Sequence, residues 1–129
     1  MDSYNKYLQE VNFFESMRRL RGLSETFEFS PMDGESLSAI AADSCFFTCA
    51  FIGMGYDYHI HYRNGYGVRV MKHWLADGAE FDCWELIVLR KNEQGEWVRA
   101  PYFTPYCDGC GYLRTSEVVH HCVDIRSLK

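Results

Sequence analysis

The chain has 129 residues, of which 47% are hydrophobic and 24% are charged, and its formal net charge is −5. This composition is typical of one globular domain and excludes a disordered chain, a collagen-like repeat and a coiled coil. Because nucleic acids attract basic surfaces, an acidic chain leads us to expect no direct binding to nucleic acid.

The sequence also bears on the compartment. Residues 1–6 lack the apolar stretch of a signal peptide, and the most apolar run, at residues 46–54, is too short to span a bilayer. We therefore expect a cytoplasmic protein, in the host cytoplasm if a phage encodes it, with no membrane partner. In such a reducing compartment the six cysteines would be thiols or metal ligands.

The first part of the chain, residues 1–55, predicts two helices. Ser3 can cap the first helix, apolar residues then recur at helical spacing, and Gly22 is a typical helix stop. Apolar residues at helical spacing between Leu37 and Ile52 predict a second, largely buried helix.

From residue 56 the apolar pattern has a period of two, which predicts strands. The dipeptide at residues 64–65, Asn-Gly, is typical of a two-residue hairpin turn. Such a turn pairs His61 with Val68 and His59 with Val70. Residues 81–90 are apolar on both faces around residues 84–89, as in a central strand.

Helices that precede strands in this way favour an α+β domain. We predict a single domain over residues 1–129, with two N-terminal helices packed on a mostly antiparallel four-stranded sheet. The helical part spans residues 1–55, the sheet spans residues 56–104, and a Cys/His tail with the character of a zinc knuckle follows at residues 105–129.

The tail contains the pattern Cys-x-x-Cys-Gly at residues 107–111 and His-His-Cys at residues 120–122. The first half of this segment resembles a zinc knuckle or a short zinc ribbon, which implies a structural Zn²⁺ ion with four ligands. The predicted ligands are Cys107, Cys110, Cys122 and either His120 or His121. An extended tail favours His120, because alternate residues share one face of a strand. A redox pair and unligated thiols are the alternative interpretations.

Cys45 and Cys49 are four residues apart and would share one face of the second helix. Ser44 can cap a helix that begins at Cys45, which would lower the pKa of that thiol. Residues 43–49 resemble the nucleophile helix of papain-like peptidases, with an acidic residue before the first cysteine and a second cysteine four residues later. The resemblance implies catalysis by Cys45 with His59 or His61 as the base. The competing interpretation is that both cysteines are buried packing residues.

His59 and His61 lie on one face of a predicted strand, a spacing also found in strand-borne metal sites such as those of cupins. The glutamate that a cupin needs is missing, so we interpret this face as a solvated recognition surface. The opposite face carries tyrosines and Ile60 and is expected to pack inward. The predicted partner-binding residues are His59, His61, Arg63, Tyr66 and Lys72.

Together these features favour a non-enzymatic protein-interaction module stabilised by zinc, over the alternative of a small papain-like thiol hydrolase. In this interpretation the protein is an acidic inhibitor or regulator, of the kind that phages and mobile elements encode, and it binds and blocks another protein. An acidic surface can also imitate nucleic acid, so a nucleic-acid-binding protein is one such partner.

Overall fold

The computed structural model describes residues 13, 15, 16, 18–20, 22, 28–52 and 54–129. Positions 13, 15, 16 and 18–20 are helical, whereas Ser3, the predicted cap of the first helix, lies outside the described residues. Gly22 has a φ of 70° and its N–H donates to the carbonyl of Arg19 at 3.0 Å, as expected of a helix stop. In the described part of the chain, no helix is long and apolar enough to cross a membrane.

The described residues form an antiparallel sheet of six strands and two further helices. The helices are α1 (Gly34–Ala41) and α2 (Thr115–Arg126), and a short 3₁₀ helix spans Ala79–Phe81. The strands are β1 (Ser44–Ile52), β2 (Gly55–Tyr62), β3 (Tyr66–Lys72), β4 (Trp84–Lys91), β5 (Trp97–Arg99) and β6 (Gly109–Leu113). The sheet order is β1-β2-β3-β4-β5, and β6 pairs with the first half of β4. The prediction of two N-terminal helices on a four-stranded sheet is therefore wrong.

The second predicted helix ends at Ala41, and the chain then forms β1 instead of continuing to Ile52. Asp43 adopts a left-handed φ of 61°, and its carbonyl accepts a hydrogen bond from the N–H of Arg63 at 3.2 Å. The residues that follow are rich in aromatic side chains, which favour strands. Their apolar spacing looked helical because this strand carries apolar side chains on both of its faces.

The hairpin between β2 and β3 has a three-residue turn, residues 63–65, instead of the predicted two-residue turn. His59 therefore pairs with Arg69 and His61 pairs with Gly67. A shift of one residue exchanges the faces of a strand. Tyr66 and Lys72 accordingly lie on the face opposite to the two histidines, contrary to the prediction.

The face of the sheet that α1 and α2 cover, here called the helix face, holds the main core. Tyr58, Ile60 and Tyr62 of β2 are buried there, which confirms the predicted inward face of this strand. The other members of this core are Met32, Ile40, Val68, Val70, Trp84, Leu86, Val88, Leu113, Val118, Cys122 and Ile125.

Lys72 is a buried cation beside this core. Its Nζ donates to the carbonyl of Ser30 at 3.0 Å, lies 3.3 Å from the Asp82 carboxylate and stands 4.3 Å from the ring centroid of Trp84. A buried ammonium group needs such partners, because an uncompensated charge is costly inside a protein. Lys72 is thus a structural residue and is not available for the partner surface predicted from the sequence.

The opposite face of the sheet, here called the histidine face, is covered only in part. A second apolar cluster packs against β3 and β4 on this side; its buried members are Phe29, Met71, Trp74, Ala76, Ala79, Ile87 and Leu89. The cluster does not include residues of β1, and His59 and His61 of β2 stay partly exposed. The uncovered region of the sheet is therefore its β1–β2 side.

The hydroxyl of Tyr62 donates to the carbonyl of Ile40 at 2.5 Å and so joins β2 to the end of α1. We expect Tyr62→Phe to leave this buried acceptor unsatisfied and to lower the free energy of unfolding by about 1–3 kcal/mol. Urea denaturation measures the change. Tyr66→Phe, in a half-buried ring on the same face, is the control and should change stability less. Equal stability of the wild type and Tyr62→Phe would contradict the prediction.

Candidate interaction surface

The strand β1 is an exposed edge of the sheet. None of its nine residues is charged, and β2 is its one neighbour among the described strands. Four large apolar side chains are exposed along it: Phe51 at 69%, Phe46 at 44%, Ile52 at 41% and Phe47 at 40%. Natural edge strands usually carry charges or proline, which prevent further pairing. We call this strand, Ser44–Ile52, the β1 edge.

The backbone of the β1 edge has groups directed away from β2. The Tyr62 carbonyl accepts the N–H of Gly65 within the hairpin, so the backbone groups of Tyr62 point toward β3. Since these groups alternate along a strand, the backbone N–H and C=O groups of His61 and His59 point toward β1. The backbone groups of their partners, Phe46 and Thr48, therefore point toward β2. The backbone groups of Phe47, Cys49 and Phe51 consequently point outward.

Next to the β1 edge, His59 and His61 form a pair on the histidine face. Their Nε2 atoms are 2.9 Å apart and share a hydrogen bond, in which one Nε2 carries the proton and the other accepts it. The ring of His61 stacks on Trp97, with centroids 3.7 Å apart and an interplanar angle of 10°, and on Phe46 at 4.8 Å and 28°. His61 is thereby held between an aromatic ring of β5 and one of β1.

Gly67 makes this stacking possible. It is the partner of His61 on β3, and a Cβ atom there would lie 2.5 Å from the Ile60 carbonyl oxygen and 3.3 Å from Trp97. The missing side chain leaves room for the rings of His61 and Trp97 to meet across β3. A glycine within a strand is a sequence signal for such a close approach.

An ion pair continues the surface along β2. A guanidinium nitrogen of Arg69 lies 2.6 Å from the Asp57 carboxylate, and these two residues line a shallow hollow of about 260 Å³ together with Thr48, Ala50 and His59. Thr48 and Ala50 belong to the β1 edge, so the hollow is continuous with it.

The surroundings of both imidazoles lower their pKa values. Burial lowers the pKa of His59, the Arg69 guanidinium lowers it further, and the Asp57 carboxylate partly opposes this. Burial also lowers the pKa of His61, as do the neighbouring His59 and Lys91. Both shifts favour the neutral form of the ring, in which one nitrogen carries a proton and the other does not.

The cysteines predicted to lie on a helix lie on the β1 edge, and both are exposed, so the prediction of buried packing is wrong for both. The Cys45 thiol donates to the backbone carbonyl of His61 at 3.4 Å, and no hydrogen bond from it to either imidazole occurs among the described residues. Cys45 lies on a strand and not at the start of a helix, so the predicted activation of its thiol by a helix N-terminus has no structural basis. Catalysis by Cys45 with His59 or His61 stays a prediction without the geometry of a dyad.

The tail does not form a zinc knuckle. Cys107 lies before β6 and Cys110 within it, whereas His120, His121 and Cys122 belong to α2. Cys122 is buried, which raises the pKa of its thiol to about 11. No group of three or more residues able to hold a metal ion is found in the part of the chain that the structure describes.

The two histidines of the tail have other surroundings. His120 is exposed and its Nε2 lies 3.3 Å from the Asp124 carboxylate, while His121 contacts the rings of Tyr102 and Phe103. The predicted Zn²⁺ cofactor stays a prediction of the sequence without a ligand cluster among the described residues.

The residues of the predicted partner surface do not all lie on one face of the sheet. His59 and His61 share the histidine face, Arg63 is exposed in the turn, and Tyr66 and Lys72 lie on the helix face. Sequence analysis missed the aromatic neighbours of the histidines, Phe46 and Trp97. It assigned Phe46 to a helix, and it had no signal for Trp97, which comes from a separate hairpin.

Comparison with known proteins adds no relationship: no family model, curated protein or solved structure matches the chain.

We expect Gly67→Ala to force His61 and Trp97 apart and to lower the free energy of unfolding by about 1–3 kcal/mol, the usual cost of overpacking. Urea denaturation followed by tryptophan fluorescence measures both effects. Gly34→Ala is the control, because a Cβ there meets nothing within 4 Å. A Gly67→Ala protein as stable as Gly34→Ala would contradict the stacking argument.

The lowered pKa values of His59 and His61 predict that stability falls in acid. Folding opposes protonation of both rings, so their contribution is complete above the ordinary imidazole pKa of about 6.5 and is lost as the pH falls through the folded-state values. The measurement is the free energy of unfolding from pH 8 to pH 5. His61→Phe keeps an aromatic ring and should flatten the dependence, whereas His120→Gln, at an exposed position, should not. A His61→Phe profile parallel to the wild type would contradict the prediction.

Proposed function

We propose that the protein is a non-enzymatic interaction module that binds an extended segment of another protein along the β1 edge. The observation that carries this proposal is an uncharged, nine-residue edge strand with four exposed large apolar side chains. Addition of a strand to a sheet edge is a common mode of peptide recognition, in which backbone hydrogen bonds give affinity and alternate side chains give specificity.

The outward backbone groups of Phe47, Cys49 and Phe51 supply the hydrogen bonds of this mode. The side chains of these residues lie on the helix face, beyond the part that α1 and α2 cover, while Phe46 and Ile52 lie on the histidine face. An added strand would thus meet apolar side chains on both of its faces. The partner segment is therefore expected to be extended, uncharged and apolar on both sides.

The absence of charge on the β1 edge also bears on the choice of partner. The chain as a whole has a net charge of −5, yet this acidity is not located on the β1 edge. Association through this strand would accordingly rest on apolar burial and backbone pairing, and it should depend little on salt. A partner held by acidic imitation of nucleic acid would instead dissociate as salt is raised.

A photoreactive phenylalanine analogue at position 51 tests the proposal in the organism that encodes the protein. We expect a position-specific adduct with a second protein, whereas the same analogue at Tyr106, which is 97% exposed in a loop outside the β1 edge, should give none. A synthetic peptide covering the crosslinked segment should then bind the purified protein.

Cys49→Pro is the decisive variant, because proline is tolerated on an edge strand whose N–H points to solvent. It removes one outward donor and leaves the pairing with β2 intact. We expect a native circular dichroism spectrum and peptide binding at least about tenfold weaker, since a backbone bond of the added strand is lost. Unchanged binding by a folded Cys49→Pro protein, or adducts only between two copies of this chain, would overturn the proposal.

A further inference from the structure

We propose that His59 and His61 form a two-nitrogen site for a divalent transition-metal ion that prefers right angles between its ligands, Cu²⁺ or Ni²⁺. Both side chains come from β2 and lie on the histidine face, two residues apart. This site is separate from the Cys/His tail, and it is independent of strand addition at the β1 edge.

The distance between the two nitrogens is the first argument. Nε2 of His59 and Nε2 of His61 are 2.9 Å apart. If both Nε2 atoms bound the same metal ion at about 2.0 Å, the N–metal–N angle would be about 90°. A tetrahedral ion such as Zn²⁺ needs a wider angle and hence a longer nitrogen–nitrogen distance. Right angles are characteristic of square-planar or tetragonal Cu²⁺ and Ni²⁺.

The orientation of the rings is the second argument. The ring centroids are 4.6 Å apart. This distance is shorter than it would be if both rings lay along the line that joins the two Nε2 atoms, which are 2.9 Å apart. The rings are therefore inclined to the line that joins the nitrogens, as the ligands of one ion must be. Trp97 and Phe46 hold the His61 ring on its two sides, so this orientation is already established before any ion binds.

The surroundings also suit a cation. A metal ion binds a ring nitrogen that carries no proton, so binding would replace the hydrogen bond between the two Nε2 atoms, and the proton on the donating Nε2 would move to Nδ1 of the same ring. The Asp57 carboxylate, next along the same face of β2, supplies negative charge that offsets the Arg69 guanidinium. With two protein ligands, the remaining positions around the ion would be filled by water.

Ni²⁺ titration of the untagged, reduced protein tests the site, because Ni²⁺, unlike Cu²⁺, is not reduced by the free thiols. Calorimetry at pH 7.5 should show one ion bound per chain. His61→Phe keeps the stacked ring but lacks the nitrogen, and His59→Gln removes the other ligand. Each should weaken Ni²⁺ binding at least about tenfold, since one of two protein ligands is lost.

His120→Gln and the double variant Cys107→Ser, Cys110→Ser are the matched controls, and both should bind Ni²⁺ like the wild type. A rise in melting temperature with Ni²⁺ should accompany binding in the wild type and in the controls, because a ligand of the folded state stabilises it. Binding that persists in a folded His61→Phe protein, or that disappears in the cysteine variant, would overturn the proposal. Absence of binding to the wild type would overturn it as well.

Discussion

The alternation of side chains along β2 is the constraint on which the rest of this structure depends. Tyr58, Ile60 and Tyr62 must face α1 and α2 to build the main core, and a strand that turns these residues inward directs the residues between them to the other face. His59 and His61 are therefore brought to the histidine face by the packing of their neighbours. Hydrophobic burial on one side of the sheet thus fixes the geometry of the polar groups on the other.

The extent of the helical layer determines which part of the sheet is left uncovered. The helix α2 packs on α1 and over β3 and β4, whereas eight of the nine residues of β1 are exposed. No residue of β1 belongs to either apolar cluster of the described residues, although Phe47 and Phe51 contact the rings of Tyr58 and Tyr56. Such exposure is costly for an isolated protein and is characteristic of a surface that meets another molecule.

The sequence was sufficient for features that depend on local periodicity. The strand β2, its buried face, the presence of a hairpin to β3 and the central position of β4 followed from alternation and from the Asn-Gly dipeptide. The length of the turn, and with it the register of β3, did not. The sequence was insufficient where two periodicities coincide. Cys45 and Cys49 are compatible with one face of a helix and equally with one face of a strand, and in the structure the chain leaves the helical conformation at the left-handed Asp43.

The candidate site was harder to predict than the fold, because its parts come from distant segments. The His59–His61 spacing was visible, but its contacts with Phe46 and Trp97 depend on strands that pair far apart in the chain. The prediction of a zinc knuckle in the tail was wrong for a related reason. Cysteine and histidine spacing suggested one metal centre, whereas α2 directs Cys122 into the core and leaves His120 at the surface.

The three-residue turn at residues 63–65 has a consequence for how this protein can change during evolution. Gly65, with its φ of 87°, closes the turn, and the Asn64 amide bonds the carbonyls of Ile125 and Leu128 at the end of α2. Deleting one residue would exchange the faces of β3, exposing Val68 and Val70 and burying Arg69. The Arg63 side chain is exposed to solvent. Substitution at position 63 is therefore compatible with this fold, whereas insertion or deletion of one residue in the loop is not.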